Sequence, residues 1–404
     1  MSRSRAADSA DARLSDGRAW RALCRSLEQA AGRVLGEDVP DSPRDRAEGF
    51  RHLLRFLASG LASCVTHDDP DYPVFGRMIE YARPWGLDNP DCLYLYAPLR
   101  GGAVYRIWGE RGTARYFDLQ VNWGHFANGA ISEWGTISSI DSLRLETETS
   151  GRFELWIGGE ERPGNWLPSA ENAGFILLRQ LFYHWETERP ADLLIERVGA
   201  PWPIPPPSPE WMADRVEKLC RWLEKGNALW EKMSQAYLSL PENSMVVHMP
   251  DETGARAGAG GQAYGMGNFH CEPGEAIVIE LAVPHCHYWS VALANWWWEC
   301  IEYASRQSSL NGAQARLDSD GMFRAVIAHE DPGVPNWLDP AGNTRGSLTA
   351  RFVHAEGKPA VSFRRVPLEE LARVLPGDTP KLTPDERARI LERRRHAVLR
   401  RYRR

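Results

Sequence analysis

The chain has 404 residues, of which 43% are apolar and 25% charged. That is an ordinary make-up for a globular protein with room for two or three domains. A net charge of -6 argues against nucleic acid as the main partner, and no apolar run is long enough to cross a bilayer or act as a secretion signal. Seven scattered cysteines without a C-x-x-C pair exclude a disulfide framework and point to a reducing cytoplasm.

In chain order, residues 19–35 carry apolar side chains at helical spacing. Ser42-Pro43 then reads as an N-cap with proline in the first turn of a helix showing Phe50, Leu53, Leu54, Leu57 and Leu61 on one face. From Cys92 the texture turns to short β-like runs broken by Gly, Asn and Pro, at residues 92–97, 103–108, 115–121, 142–148, 153–157, 175–185 and 193–198. A proline-rich stretch from Pro201 marks a stiff boundary. Ser208-Pro209 caps a further helical stretch, which Gly226-Asn227 is expected to break in two. The glycine-rich stretch 254–267 lacks a phosphate-loop pattern and reads as a flexible connection, so no nucleotide cofactor is expected. Thr383-Pro384-Asp385-Glu386 opens a basic C-terminal helix, read as a solvated helix or a subunit arm.

The β texture after residue 261 repeats the first in the same order. Phe153 is echoed by Phe323, an offset of 170 (323 − 153), and Asn165-Trp166-Leu167 by Asn336-Trp337-Leu338, an offset of 171 (336 − 165). Arg179 likewise meets Arg351. Internal duplication is the inference. The expected architecture is mainly β with helical additions, two repeated β-sandwich or jelly-roll-like modules joined by a helical linker. The expected boundaries are a helical region 1–66, module one 67–200, a proline-rich linker and helix 201–260, module two 261–368 and a basic helix 369–404.

Duplication also sorts residues, because those shared by both copies hold the fold and those in one copy are candidates for function. The shared Asn-Trp-Leu reads first as a turn with a buried indole. Only the second copy surrounds it with His329, Asp331 and Asp339 on a Pro/Gly loop. A carboxylate beside an imidazole fixes its tautomer and raises its basicity, so this trio is the candidate acid–base group, with Asp and His bonded to loop backbone as the competing reading. Tyr288, Trp297 and Trp337 are candidate walls of a ligand pocket, and Asn311 a candidate anchor for a polar substituent. If Trp296-Trp297-Trp298 forms a strand, its outer two indoles share one face. His285 and His287 would share a strand face as two metal ligands do, but packed or surface histidines are the preferred reading and no metal is expected. His184 and Glu186, read as one strand face, are taken as solvated or at an interface.

These stretches resemble a bacterial family, the domain of unknown function 1214 family. The resemblance is carried by residues 86–94, 179–188, 262–267, 288–289 and most specifically 329–342, spanning about residues 67–366. The family's last motif ends A-G-H, and here Asn343 stands in place of that His. The resemblance implies β-sandwich modules in bacterial proteins, often oligomeric, with no common reaction. It also implies frequent occurrence in bacteria that degrade aromatic, steroid or terpenoid compounds.

The expected function is a cytoplasmic, cofactor-independent enzyme of lyase, decarboxylase or isomerase type acting on a hydrophobic or aromatic small molecule. His329 would move the proton, and the protein is expected to be a homo-oligomer without nucleic-acid or membrane partners. A non-catalytic ligand-binding or assembly protein is the alternative, and a cupin-like metal enzyme centred on His285 and His287 a weaker one.

Overall fold

A computed structural model describes residues 10–250 and 261–403. The first residues and part of the glycine-rich stretch read as a flexible connection lie outside the described residues.

Among the described residues, three helices come first: α1 (Ala10–Ser15), α2 (Arg18–Val34) and α3 (Pro43–Leu61). Ser42 caps α3 by accepting the Asp45 amide, with Pro43 in the first turn as its spacing predicts. Module one follows with β1 (Cys92–Pro98), β2 (Tyr105–Glu110), β3 (Tyr116–Gly124), β4 (Trp134–Asp141), β5 (Arg152–Ile157), β6 (Asn165–Leu167), β7 (Ala173–Leu181) and β8 (Asp192–Arg197). Two expectations fail here. Residues 142–148 turn rather than extend, because Asp141 accepts the Leu143 amide and its carbonyl the Arg144 and Leu145 amides. The strand expected over 175–185 ends at Leu181, so His184 and Glu186 lie on a turn instead of one strand face.

Two further helices, α4 (Pro209–Arg221) and α5 (Asn227–Leu238), are joined through a π-turn at Trp222–Gly226. Gly226 therefore widens the helix without breaking it. Two glycines of α3 mark where tryptophans press on its backbone. A Cβ on Gly60 would lie 2.5 Å from the Trp222 ring, and one on Gly49 would lie 2.4 Å from the Trp297 ring.

Module two comprises β9 (Met245–His248), β10 (Gln262–His270), β11 (Glu275–Leu281), β12 (Tyr288–Ala294), β13 (Ser309–Asn311), β14 (Phe323–Ile327), β15 (Trp337–Leu338), β16 (Arg345–Val353) and β17 (Val361–Pro367). A short helix α6 (Leu371–Val374) and a long one, α7 (Pro384–Tyr402), end the chain. Module one has sheet orders β1-β7-β3-β4 and β6-β5-β2-β8, while module two has β13-β12-β16-β10-β9 and β15-β14-β11-β17. Strand for strand these are the same two sheets in the same chain order, with β9 added at one edge. Even the register agrees, since Tyr94 pairs with Arg179 and Tyr264 with Arg351.

Each module buries its core between its two sheets. Ile107, Leu119, Leu155 and Leu178 meet in module one, and Ile277, Val291, Ile327 and Leu348 in module two. Five of the seventeen tryptophans, Trp85, Trp134, Trp222, Trp230 and Trp298, share a third core where the helices meet both modules. There Phe56 stacks on Trp222 at 4.6 Å and Trp85 meets Trp222 edge-on at 5.2 Å. Such aromatic pairs add about 1 kcal/mol each beyond their area. Trp296-Trp297-Trp298 is a turn rather than a strand, because the Asn295 side chain accepts the Trp297 and Glu299 amides and Trp298 sits at φ 59°. No helix among the described residues is long and apolar enough to cross a membrane.

Candidate functional site

The shared Asn-Trp-Leu is one device built twice. Asn165 donates to the Glu146 and Glu154 carbonyls and accepts the Glu146 amide. Asn336 donates to the Arg316 and Arg324 carbonyls and accepts the Arg316 amide. The indole of Trp166 donates to Gly158 and that of Trp337 to Ala328. Trp337 is covered in addition by the Arg387 guanidinium of α7, 5.2 Å from its ring centre.

His329, Asp331 and Asp339 are not brought together. His329 is half-buried, and its Nε2 donates to the Cys271 carbonyl at 2.8 Å. Asp331 pairs with Arg387 at 2.9 Å and Asp339 with Arg306 at 2.7 Å, and each also caps a loop amide. Among the described residues His329 has no hydrogen bond to either aspartate. Trp297 lies elsewhere, stacked on His52 of α3 and donating to the Asp45 carbonyl. His285 and His287 are on a turn with separate partners, Glu356 and the Arg115 carbonyl. Among the described residues no group of three or more His, Cys, Asp or Glu is placed to hold a metal ion.

Tyr288 and Asn311 do converge, on a residue that sequence reasoning passed over. Asp91, fully buried between the modules, accepts Tyr288 Oη at 2.6 Å, Asn311 Nδ2 at 2.7 Å and Trp185 Nε1 at 2.6 Å. Burial pushes its carboxyl above the usual range, opposed by these three donors and by the charge of Arg401. Burial also holds the Tyr288 phenol well above its ordinary value.

Trp185 connects this centre to a cleft. On the Asp91 side its indole is pinned, and its ring carries two guanidiniums, Arg394 at 4.6 Å and Arg401 at 4.7 Å. The other side opens into a cavity of about 790 Å³ beneath α7, whose apolar walls include Leu310, Leu382 and Ile390. Arg316, Arg393, Arg394 and His184 supply its polar rim. Burial lowers Arg394 to about 10, so it remains a cation at neutral pH. It is held by the Tyr303 carbonyl, Gln314 and Ser309.

The helix closing this cleft is not the solvated arm expected from its charge. Its capping box is present, but Arg387, Arg394 and Arg401, each seven residues from the next (394 − 387, 401 − 394), form one inward stripe and are about 5% exposed. Arg387 binds Asp331 and Gln307 in module two, and Arg401 binds the Pro90 carbonyl beside module one. Asp91, Trp185 and Arg394 were missed as site residues. The one available signal was the spacing of these arginines, which overall basicity concealed.

Residues 273–357 match the family described as Protein of unknown function (DUF1214), so the resemblance holds over most of module two. The solved structure of an uncharacterized protein from Burkholderia cenocepacia is similar over 89% of this chain and 99% of its own, with 29% identity and a TM-score of 0.84. The VPA0106 protein from Vibrio parahaemolyticus matches 70% of this chain and 92% of its own at 13% identity and a TM-score of 0.42, too distant to bear on the site. No curated protein matches the chain.

Proposed function

We propose that this protein binds a hydrophobic, aromatic small molecule carrying a negative charge in the cleft beneath α7. One observation carries the reading: a cavity of about 790 Å³, the size of a small-molecule site, combines an indole, aliphatic walls and a buried arginine. Ring burial against Trp185 would supply affinity, and Arg394 with the exposed Arg316 would fix a carboxylate. His184, whose ring makes no hydrogen bond among the described residues, is the group we assign to any proton exchange with the ligand. That keeps the lyase, decarboxylase or isomerase class as the catalytic form of the proposal. Seven unpaired cysteines suit a reducing compartment such as the cytoplasm, and a homo-oligomer belongs to the same reading.

The test is calorimetric titration of the full chain with phenylacetate and benzoate, beside A313W, which fills the cleft from an exposed lining position. Saturable binding in the wild type and its loss in A313W is the expected result. Equal binding by both would remove the ligand from the cleft. A second reading, acid–base catalysis at His329, is favoured by its tautomer, since an Nε2 that donates to Cys271 leaves Nδ1 as a free base. Deuterium exchange at the α-carbon of phenylacetate separates the two: H184Q should abolish it on the first reading and H329Q on the second.

A further inference from the structure

Away from the cleft, α3 carries Arg44, Glu48, Arg51 and Arg55 at steps of four, three and four residues (48 − 44, 51 − 48, 55 − 51), one stripe of a helix. The stripe lines a separate cavity of about 80 Å³, closed opposite by the segment after β12 and by Asn343 in the loop before β16. Its hydrogen-bonding capacity is unevenly committed. Every acid in the lining has protein partners: Glu299 takes His52 and Arg55, Glu302 takes Tyr81 and two backbone amides, and Glu48 takes Asn295 and lies 3.5 Å from Arg44. The donors are not used up. Arg51 makes no ion pair or hydrogen bond among the described residues, and Arg55 spends only one nitrogen, on Glu299. Asn343, 7% exposed, donates its amide to the Pro340 carbonyl and leaves its Oδ1 without a partner among the described residues. What remains in the cavity is therefore unspent guanidinium N–H together with one accessible acceptor on a buried side chain.

We propose that this cavity is a second binding site, for a short-chain hydroxycarboxylate. Arg51 and Arg55 take the carboxylate by charge-assisted hydrogen bonds, and Asn343 Oδ1 accepts the hydroxyl. The volume admits a molecule of only a few heavy atoms, so the aromatic ligand of the cleft is excluded by size. Burial pushes the Glu48 carboxyl above its ordinary range, opposed by the charge of Arg44 and the hydrogen bond from Asn295.

The experiment is calorimetric titration of the full chain with glycolate, acetate and inorganic phosphate, with R51Q and N343A as variants. Arg51 is exposed, so R51Q keeps the fold, which circular dichroism verifies. Glycolate should bind saturably, R51Q should weaken it about tenfold or more, and N343A should bring glycolate down to the level of acetate. Absence of saturable glycolate binding, unchanged affinity in R51Q, or phosphate binding as well as glycolate would each overturn the assignment. A313W leaves this site open, so loss of the cleft reading and loss of this one are separable.

Discussion

The two modules share a sheet plan and an Asn-Trp-Leu clamp, yet their corresponding tyrosines lead to different surroundings. Tyr116 reaches Asp141 at 3.4 Å, and that carboxylate also meets the half-exposed His354 at 3.2 Å. Tyr288 reaches Asp91 at 2.6 Å in a fully buried centre bounded by Trp185 and the arginines of α7. Asn311, which pairs with β12 where Asp141 pairs with β3, leaves the carboxylate of this centre to come from the loop before β1. The difference teaches that duplication preserved the scaffold while the added helix turned one copy's face into the floor of a cleft.

Substituting the two carboxylates should break this comparison most sharply. D91N puts an amide among three donors in a buried network and should cost about 3 kcal/mol or more, whereas D141N, at a wetter pair, should cost about 1 kcal/mol. Urea unfolding measures both, and equal losses would deny that the centres differ. The clamps should behave oppositely. N165A and N336A each remove three hydrogen bonds and strand buried backbone groups, so each should lose about 2–3 kcal/mol, by nearly the same amount. A much larger loss from N336A would mean that the second clamp also serves the site.

The smallest effect concerns pH. His125, in module one, is fully buried and accepts the Ala127 amide, and burial holds it well below its ordinary value of 6.5. The unfolded chain then binds a proton that the folded one refuses. Its contribution is complete above 6.5 and is lost as pH falls, at up to about 1.4 kcal/mol per unit. Module two's histidines are all partly or fully exposed, and burial lowers His287 without holding it far below its ordinary value as it does His125. Hydrogen exchange at falling pH should therefore open module one first, and H125N, which keeps the capping acceptor, should flatten that dependence.

Much of the fold was legible because alternation, turn residues and caps are local. Ser42, Ser208 and Thr383 cap where their spacing says, and a repeated Asn-Trp-Leu announces a repeated clamp. What could not be read was anything set by distant partners. Residues 142–148 look extended but follow Asp141 into a turn, and the tryptophan triplet obeys an Asx turn at Asn295. The candidate trio failed to assemble for the same reason. Asp331 is two residues from His329 in the chain but is claimed by Arg387, 56 residues away. Asp91 carries no motif at all. Its importance arises from three donors on three separate segments, Trp185, Tyr288 and Asn311.

The inward arginines of α7 bear on the order of events during synthesis. The helix that roofs the cleft and spans from Asp331 to Pro90 is synthesised after both modules. Both modules can complete their sheets before it emerges, because their cores are drawn from their own strands. The floor around Trp185 then waits, open to water, until Arg394 and Arg401 arrive to cover it. A chain cut short before residue 384 would keep the strands of both sandwiches and have no roof over the cleft.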